Sequence, residues 1–401
     1  MALMFLAFPN FNLYSTPLLV LVSQGLLLGS LLLVRYYKKV QISDLFLGLL
    51  VLITCYHRTT YTIGFMGWYD TYNNTKINYW LISLFLAIGP LIYFYVKSVT
   101  TSDFKFKRRD LYHFVPVLVY VVYRSVIFIY DAAQPGFDNQ QNGVLMMRFE
   151  NGVVAPFTET FGIIQQLLYL TFSLQLYYKY KGAIQNYFSN TYALELNWIR
   201  NFLLIYSFLF LYGVLQQLVN EYVIELSWIQ KWWKDFFSAL AVIYVGIKGY
   251  FTDTTKLNGL DFKLKDKLKY FPNSVQTVST ERLENKAAEI DAYKKELLIY
   301  MKEHRPYLNP DLNLQEMAQA INLSRAQLSE VINYGFNKNF NDFINEYRVN
   351  AVKEMFSKGR QEQLSLLGIA YECGFNSKAT FNRAFKKLTH SSPSEFLKAG
   401  N

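Results

Sequence analysis

The stretch ECGFNSKATFNRAFKK, residues 372–387, combines a turn signal with a strongly amphipathic helical pattern. Gly374 predicts a tight turn, and Ser377 predicts the N-cap of the helix that follows. Within that helix the apolar positions recur at helical spacing, which indicates a single buried face. The predicted inward residues are Phe381, Ala384, Phe385 and Leu388. The predicted outward residues are Lys378, Ala379, Thr380, Asn382, Arg383, Lys386 and Lys387.

The same helix–turn–helix pattern occurs once more, earlier in the chain. We call this N-terminal occurrence the first copy and the one described above the second copy. In the first copy Asn313 predicts a helix N-cap, and Ser324 with Gln327 predicts a capping box for the next helix. The predicted inward residues are Leu314, Met317, Ala318, Ile321, Leu328, Val331 and Ile332, and the outward ones are Arg325, Ala326, Ser329, Glu330 and Asn333. A long amphipathic helix that ends at Gly359 is predicted between the copies.

Residues 307–398 resemble the AraC/XylS family of bacterial transcription regulators. The segment LGIAYECGFNSKATFNRAFKKLTHSSPSEF, residues 367–396, is similar to the family's second-motif signature almost throughout. The segment NFNDFINEYRVNAVKEM, residues 339–355, resembles its connecting helix. The sequence departs from the family at His390, where glycine is usual, and this departure concerns the geometry of one turn. The resemblance covers roughly a quarter of the chain.

The resemblance implies that each copy presents its second helix to the major groove of double-stranded promoter or operator DNA, about 34 Å apart along the duplex. Arg383 is the expected base reader, because its guanidinium can bond guanine O6 and N7 together. The three lysines of that helix are expected on phosphates, which position a domain without specifying sequence. The expected DNA-binding residues are Lys378, Thr380, Asn382, Arg383, Lys386 and Lys387 in the second copy, and Arg325, Gln327, Ser329, Glu330 and Asn333 in the first.

Glu330 makes the first copy unusual within this interpretation. A carboxylate repels phosphates, but it can accept a hydrogen bond from cytosine N4. We therefore expect the first copy to contribute less affinity and more base discrimination than the second. For either copy the alternative is a solvated helix face. Net charge does not decide between them: the chain carries +10, but residues 281–401 hold 17 basic against 15 acidic side chains.

The part of the chain before about residue 250 is strongly apolar, although hydrophobic residues make up only 52% of the whole sequence. Seven apolar runs occur at about 16–34, 44–65, 79–96, 111–130, 157–178, 201–219 and 236–251. Most approach the length of about 20 residues that a helix needs to cross a bilayer. Long runs without alternation indicate helices, since a spanning backbone must satisfy its own hydrogen bonds. The predicted fold is all-α: a seven-helix transmembrane bundle followed by a double helix–turn–helix domain.

Basic residues are distributed unevenly between the loops. Loops 35–43, 97–110 and 179–200 together hold eleven Lys and Arg, whereas loops 66–78, 131–156 and 221–235 hold four. The richer set belongs in the cytoplasm. This predicts a multi-pass protein of the bacterial cytoplasmic membrane, with its N-terminus outside and its C-terminal DNA-binding domain in the cytoplasm.

Three parts of the chain follow from these patterns. Residues 1–251 are predicted to form the membrane sensor, 252–304 the juxtamembrane linker and a charged connecting helix, and 305–401 the DNA-binding domain. The FKLKDKLK segment of the linker, residues 262–269, could lie on anionic headgroups or serve as a solvated connector.

Charged and titratable residues within the apolar runs are candidate ligand-sensing groups, because charge inside a bilayer usually faces a partner or a wet cavity. They are His57, Arg58, Arg124 and Glu159. Arg58 or Arg124 paired with Glu159 would form a pocket for a polar or anionic ligand. The alternative is that Arg58 and Glu159 simply lie at the interface with the headgroups.

No catalytic residue, metal site or cofactor is predicted. Cys55 and Cys373 lie in different halves of the chain, and the four histidines show no metal-ligand spacing. The favoured function is a one-component regulator that binds DNA in response to an external or membrane-borne signal. Its expected partners are DNA, the lipid bilayer, a signal ligand, RNA polymerase and a second copy of the chain. Two alternatives stay open: a transporter or membrane enzyme with a DNA-tethering domain, and a degenerate module that contacts only proteins.

Overall fold

The computed structural model describes residues 8–72, 74, 76, 82–101, 104–136, 141–191, 194–252 and 280–400. This part of the chain is helical, with isolated β-bridges between Asn74 and Gln141 and between Phe188 and Asn313. It forms two compact units, one from residues 1–177 and 197–263, the other from residues 178–196 and 264–401. Most of the predicted linker, 253–279, lies outside the described residues, and with it the FKLKDKLK segment.

The first unit contains long apolar helices and one short helical turn. They are α1 (Ser15–Lys39), α2 (Ile42–Phe65), the single turn α3 (Trp68–Thr71), α4 (Ile88–Thr100), α5 (Val115–Ala133), α6 (Ala155–Tyr187), α7 (Asn197–Tyr222) and α8 (Trp228–Tyr250). The residues of α6 from 178 onward belong to the second unit.

Within the described residues, four helical segments are long and apolar enough to cross a membrane: Ser15–Lys39, Ile42–Phe65, Arg108–Ala133 and Asn197–Tyr222. The prediction of seven such segments is confirmed only to this extent. The apolar segment Phe85–Thr100, a 3₁₀ turn followed by α4, is shorter than these four. Helix α8 carries three charged residues near its start, Lys231, Lys234 and Asp235, which lower its apolar character.

Helices α1 and α2 pack closely along their length because small residues meet where they cross. A Cβ atom at Gly29 would lie 3.3 Å from the carbonyl oxygen of Gly48 and 2.7 Å from the Leu52 side chain. A Cβ atom at Gly48 would in turn lie 3.2 Å from the carbonyl oxygen of Gly29. Close approach of small residues is a common way for apolar helices to associate without a water-driven hydrophobic effect.

Arg35 ties the ends of three helices together. Its Nε donates to Asp44 Oδ2 at 2.6 Å, and its guanidinium also donates to the carbonyl oxygens of Gly249 and Tyr250. The same guanidinium lies 4.7 Å from the centre of the Tyr250 ring. The α1, α2 and α8 ends therefore share one satisfied charge pair.

The second unit is a helical domain with two apolar cores. Its helices are α9 (Thr280–His304), α10 (Leu314–Ala320), α11 (Arg325–Glu330), α12 (Phe340–Ser357), α13 (Leu366–Glu372), α14 (Lys378–Thr389) and α15 (Pro393–Gly400). One core joins α9, α10, α11 and the first half of α12. The other joins the second half of α12 with α13 and α14. Helix α12 thus contributes to both cores. As predicted, this long helix lies between the two helix–turn–helix copies.

The predicted caps of these short helices are confirmed. The side chains of Asn313, Ser324 and Ser377 each accept a hydrogen bond from the backbone N–H three residues later. Each cap satisfies an N–H group that has no partner within its helix. The prediction that Leu388 is inward is wrong, since its side chain is 36% exposed.

His390 ends α14 in the left-handed conformation, with φ of 61°. Glycine adopts this conformation at the least steric cost, which explains why the family usually has glycine at this position. The turn is formed with histidine in place of glycine.

Candidate nucleic-acid interface

Helix α14 is held in place by buried aromatic residues and a fixed turn. Phe381 and Phe385 are at most 2% exposed and pack against Phe375 and Phe356 from neighbouring segments. The face opposite to these rings is polar. Its exposed residues are Lys378, Asn382, Arg383, Lys386 and Lys387. Four cations and an amide on one rigid helix suit contacts with phosphates and base edges.

Gly374 fixes the turn that leads into α14. Its φ of 87° is in the left-handed region, and a Cβ atom there would overlap the carbonyl oxygen of Tyr307. The position therefore needs glycine both for its backbone conformation and for space.

Two of the predicted DNA-binding residues of α14 are engaged within the second unit. Arg383 Nη1 lies 2.7 Å from Glu195 Oε1, and Lys387 Nζ lies 2.6 Å from Asp342 Oδ1. Glu195 belongs to segment 178–196, which comprises the last part of α6 and the residues that join it to α7.

Thr380 was expected on the outward face of α14, but its residue is only 2% exposed. Its hydroxyl hydrogen-bonds with Ser377 at 2.9 Å and lies 3.4 Å from Asn190 Oδ1. Thr380 therefore lies beneath segment 178–196 in this structure, whereas its helical neighbours Lys378 and Asn382 are exposed.

The second helix of the first copy is shorter than α14. Helix α11 spans Arg325–Glu330, and a π-helical turn, Val331–Gly335, continues it. Gln327 is used in the capping box, where its Oε1 accepts from the Ser324 backbone at 3.0 Å. Asn333 donates to the Ser329 hydroxyl at 3.1 Å, and both residues lie at the outer side of the helix. Only Arg325 and Glu330 supply charge in the predicted set of this copy.

Segment 178–196 contacts the first copy as well. The Arg325 guanidinium lies 5.3 Å from the centre of the Tyr187 ring, within the range of a cation–π contact. Phe188 forms an antiparallel bridge with Asn313, and the Ser189 N–H donates to Leu312 O at 3.2 Å. Sequence reasoning missed this packing, since no periodicity or motif in 178–196 signals it.

Arg348 of α12 connects segment 178–196 with the backbone before α10. It is fully buried, and its guanidinium donates to the carbonyl oxygens of Tyr307 and Asn309, each at 2.8 Å. It also donates to the Ser189 hydroxyl at 3.0 Å and the Ser189 carbonyl at 3.4 Å. Burial lowers the pKa of Arg348 to about 10, against the opposing effect of the Asp311 carboxylate. Neutral carbonyl and hydroxyl oxygens thus solvate this cation.

The candidate ligand-sensing residues of the first unit have partners other than those expected. Arg58 pairs with Asp235 at 2.8 Å, and Arg124 with Glu150 at 3.6 Å. Glu159 instead accepts from Gln217 at 2.7 Å. The predicted pairing of either arginine with Glu159 is therefore wrong.

Each of these arginines has a nearer acid: Asp235 lies in α8, and Glu150 lies in the π-helical segment Met146–Val154 before α6. His57 accepts from the Leu84 backbone N–H at 2.8 Å. The structure thus does not bring the four predicted residues into one cluster. Among the described residues no group of three or more His, Cys, Asp or Glu is placed to hold a metal ion.

Comparison with known proteins identifies the second unit. A family model described as a helix-turn-helix domain matches residues 317–399. The chain is 30% identical over 121 residues to an uncharacterized HTH-type transcriptional regulator in the cgkA 5′ region of Pseudoalteromonas carrageenovora. That alignment covers 29% of this chain and 68% of the relative. No solved structure gives a significant match.

Proposed function

Because the chain belongs to the AraC family of helix-turn-helix transcriptional regulators, we propose that it is a membrane-bound one-component regulator. It binds specific duplex DNA through both helix–turn–helix copies and responds to an external or membrane-borne signal. Helices α11 and α14 are the reading helices, and one chain engages two successive major-groove segments.

The observation that carries this proposal is the polar face of α14. It presents four exposed cations on a helix whose other face is locked into an apolar core. Arg383 reads a guanine, whereas Lys378, Lys386 and Lys387 contact phosphates. Asn382 lies beside them as a second base-edge contact. The residues of α11 add fewer charges and more discrimination, since Glu330 disfavours phosphate and favours cytosine N4.

The membrane part of the proposal is supported by four helical segments of spanning length and composition. We propose seven crossings, with the shorter α4 and the more polar α6 and α8 completing the set. The excess of basic residues in loops 35–43, 97–110 and 179–200 supports a cytoplasmic location for these loops. The sensor is then 1–251, the linker and connecting helix 252–304, and the DNA-binding domain 305–401.

The charged pairs inside the first unit are the proposed place where a signal acts. The Arg58–Asp235 and Arg124–Glu150 pairs are largely buried, with each carboxylate side chain at most 4% exposed. Buried charge of this kind is costly and is often linked to function. A ligand that competes for one of these partners would change helix packing and, through it, the state of the DNA-binding domain.

DNA binding is tested with the full chain reconstituted in lipid nanodiscs. Random-sequence duplexes of about 40 base pairs, long enough for two reading helices one turn apart, are enriched by binding to the protein. We expect a shared sequence motif and a steep loss of affinity with rising salt, because phosphate contacts release counterions. Failure to retain any duplex at low salt would contradict the proposal and favour a module that contacts only proteins.

Topology is tested by reporter fusions after Tyr130 and after Tyr178. The seven-crossing arrangement places the first outside and the second in the cytoplasm. If both fusions reported the same side of the membrane, the arrangement would be wrong.

A further inference from the structure

We propose that segment 178–196 is an autoinhibitory element, which covers the reading face of α14 and leaves it before DNA enters. This inference rests on the proposed function, because it concerns how access to the same DNA-binding site is regulated. The described part of the segment excludes Tyr192 and Ala193. Its remaining residues contact both helix–turn–helix copies, as the following observations show.

The first observation is the ion pair that Arg383 makes with Glu195. The Glu195 carboxylate, 1% exposed, lies 2.7 Å from the Arg383 guanidinium. Its oxygens also lie 2.9 Å from the Thr191 hydroxyl and 3.9 Å from Lys181 Nζ. A guanine would offer O6 and N7 to the same guanidinium. An anion held by its own segment therefore takes a donor that DNA would need, and it repels an approaching phosphate.

The second observation is the covering of the same helix face one turn earlier. Thr380 is buried, and its hydroxyl faces Asn190 of the segment. Thr380 and Arg383 are three residues apart and so are neighbours on the helix surface. A major groove admits an α-helix only if that surface is bare. The segment and a DNA duplex therefore compete for the same part of α14.

The third observation is the way in which the segment is held. Ser189 lies fully buried against α12, where it accepts from Arg348 and from the Asn341 amide, the latter at 2.7 Å. Its N–H pairs with Leu312 O. These are polar contacts that water can replace, unlike an interdigitated apolar core. The polar contacts of Ser189 are therefore specific in geometry and can be exchanged for water.

The segment is also in a position to receive a signal. It includes the last residues of α6, which ends at Tyr187, and leads directly into α7, which begins at Asn197. Tyr187 itself contacts Arg325 of the first copy. Any change that draws these helix ends away from the DNA-binding domain releases both copies together. Release then increases DNA affinity without altering a DNA-contacting residue.

The decisive experiment compares Glu195→Gln with the wild-type full chain in nanodiscs. The probe is the duplex pool enriched from random sequence by either protein. Neutralising the carboxylate removes the charge-assisted part of its bond to Arg383, so we expect DNA affinity to rise by about fivefold. The matched control is Glu354→Gln. It removes the same charge from an exposed residue of α12 that pairs with Lys358, and we expect wild-type affinity for it.

A second measurement reports displacement directly and does not depend on affinity. Ser189→Cys places a thiol at a fully buried position of the segment. The native Cys55 and Cys373 are both buried, and burial raises the pKa of Cys373 to about 12, so its thiol reacts slowly. We expect a soluble maleimide to label the introduced thiol slowly without DNA and severalfold faster with saturating duplex.

The outcomes separate the inference from the function beneath it. Equal and measurable DNA affinity in wild type and Glu195→Gln would overturn autoinhibition and leave DNA binding intact. Continued protection of the introduced thiol in the DNA complex would overturn it as well. If no variant bound any duplex, the proposed function itself would be overturned.

Discussion

The two helix–turn–helix copies share a plan but differ in turn, helix and charge. The second copy turns at Gly374, with φ of 87°, and the first at Asn322, with φ of 53°. Helix α14 has twelve residues, whereas α11 has six before its π-helical turn. The second copy therefore has a rigid, strongly basic reading helix, and the first has a shorter one with a carboxylate at Glu330. This difference is the basis of our proposal that the second copy supplies more of the affinity and the first more of the base discrimination.

The largest expected effect is on the turns. Gly374→Ala forces a side chain onto the Tyr307 carbonyl, and we expect the second copy to lose about 3 kcal/mol of stability or more. In Asn322→Ala only the left-handed backbone conformation is unfavourable, so we expect the first copy to lose about 1 kcal/mol of stability. Hydrogen exchange of the full chain, read separately for α10–α11 and α13–α14 peptides, measures both. Equal losses would remove the distinction between the two turns.

The next effect is on base reading. Arg383→Ala should lower affinity for the enriched duplex by about 1–3 kcal/mol and relax the preference at one base pair. It is best measured in the Glu195→Gln background, where loss of the inhibitory contact does not offset loss of the DNA contact. Arg325→Ala should cost less, and Arg360→Ala, which disturbs exposed contacts with Glu372 and Gln363, should have no effect on DNA affinity. A larger loss for Arg325 than for Arg383 would reverse the assignment of affinity to the second copy.

A smaller effect of opposite sign is expected at Glu330. Replacing it by glutamine removes repulsion from phosphates, so Glu330→Gln should raise affinity for all duplexes by about 0.5–1 kcal/mol. The same change should weaken the preference at one base pair. Selection from the random pool with both proteins measures the two effects together. An unchanged base preference would show that the first copy does not discriminate through this residue.

The smallest effect concerns pH. In the capping box that begins α15, Glu395 accepts from the Ser392 backbone at 2.8 Å, and hydrogen bonds from Ser392 lower the pKa of this carboxyl. Since the folded pKa is depressed, the stabilisation is present above the ordinary value and is lost as pH falls through the folded one. The capping box that begins α11 uses neutral Gln327 with Ser324. Mild acid should therefore loosen the start of α15 but not that of α11, and hydrogen exchange of the two peptides measures this difference.

Control for this prediction comes from Glu395→Gln, which keeps an acceptor and removes the titration. Its α15 peptide should show no added loss of protection as pH falls. A wild-type peptide with the same flat profile would contradict the role assigned to the carboxyl.

Local features of this chain were predictable from sequence, and long-range ones were not. Ser324, Ser377 and Gly374 act on backbone within a few residues, so their roles follow from residue type and spacing alone. Leu388 was misassigned because it follows the apolar spacing of α14 although the helix end is not covered. The general plan of two copies around a shared helix was likewise encoded in periodicity.

The contacts between segment 178–196 and α14 depend on tertiary packing. Arg383 and Glu195 are far apart in sequence, and nothing near Glu195 resembles a motif. The partners of Arg58 and Arg124 were misassigned for the same reason, because Asp235 and Glu150 are brought close only by helix packing. A charge can be recognised from sequence as needing a partner. Which partner it finds depends on the fold.

The burial of Arg348 has a consequence for evolution and engineering. Two of its four oxygen ligands come from Ser189, so departure of the segment exchanges protein oxygens for solvent around a desolvated cation. Without DNA, the form from which segment 178–196 has departed should accordingly melt at a lower temperature than the form that the segment covers. Screening variants for heat resistance alone would thus enrich regulators whose DNA-binding face stays covered, and variants that bind DNA without a signal should be less stable than wild type.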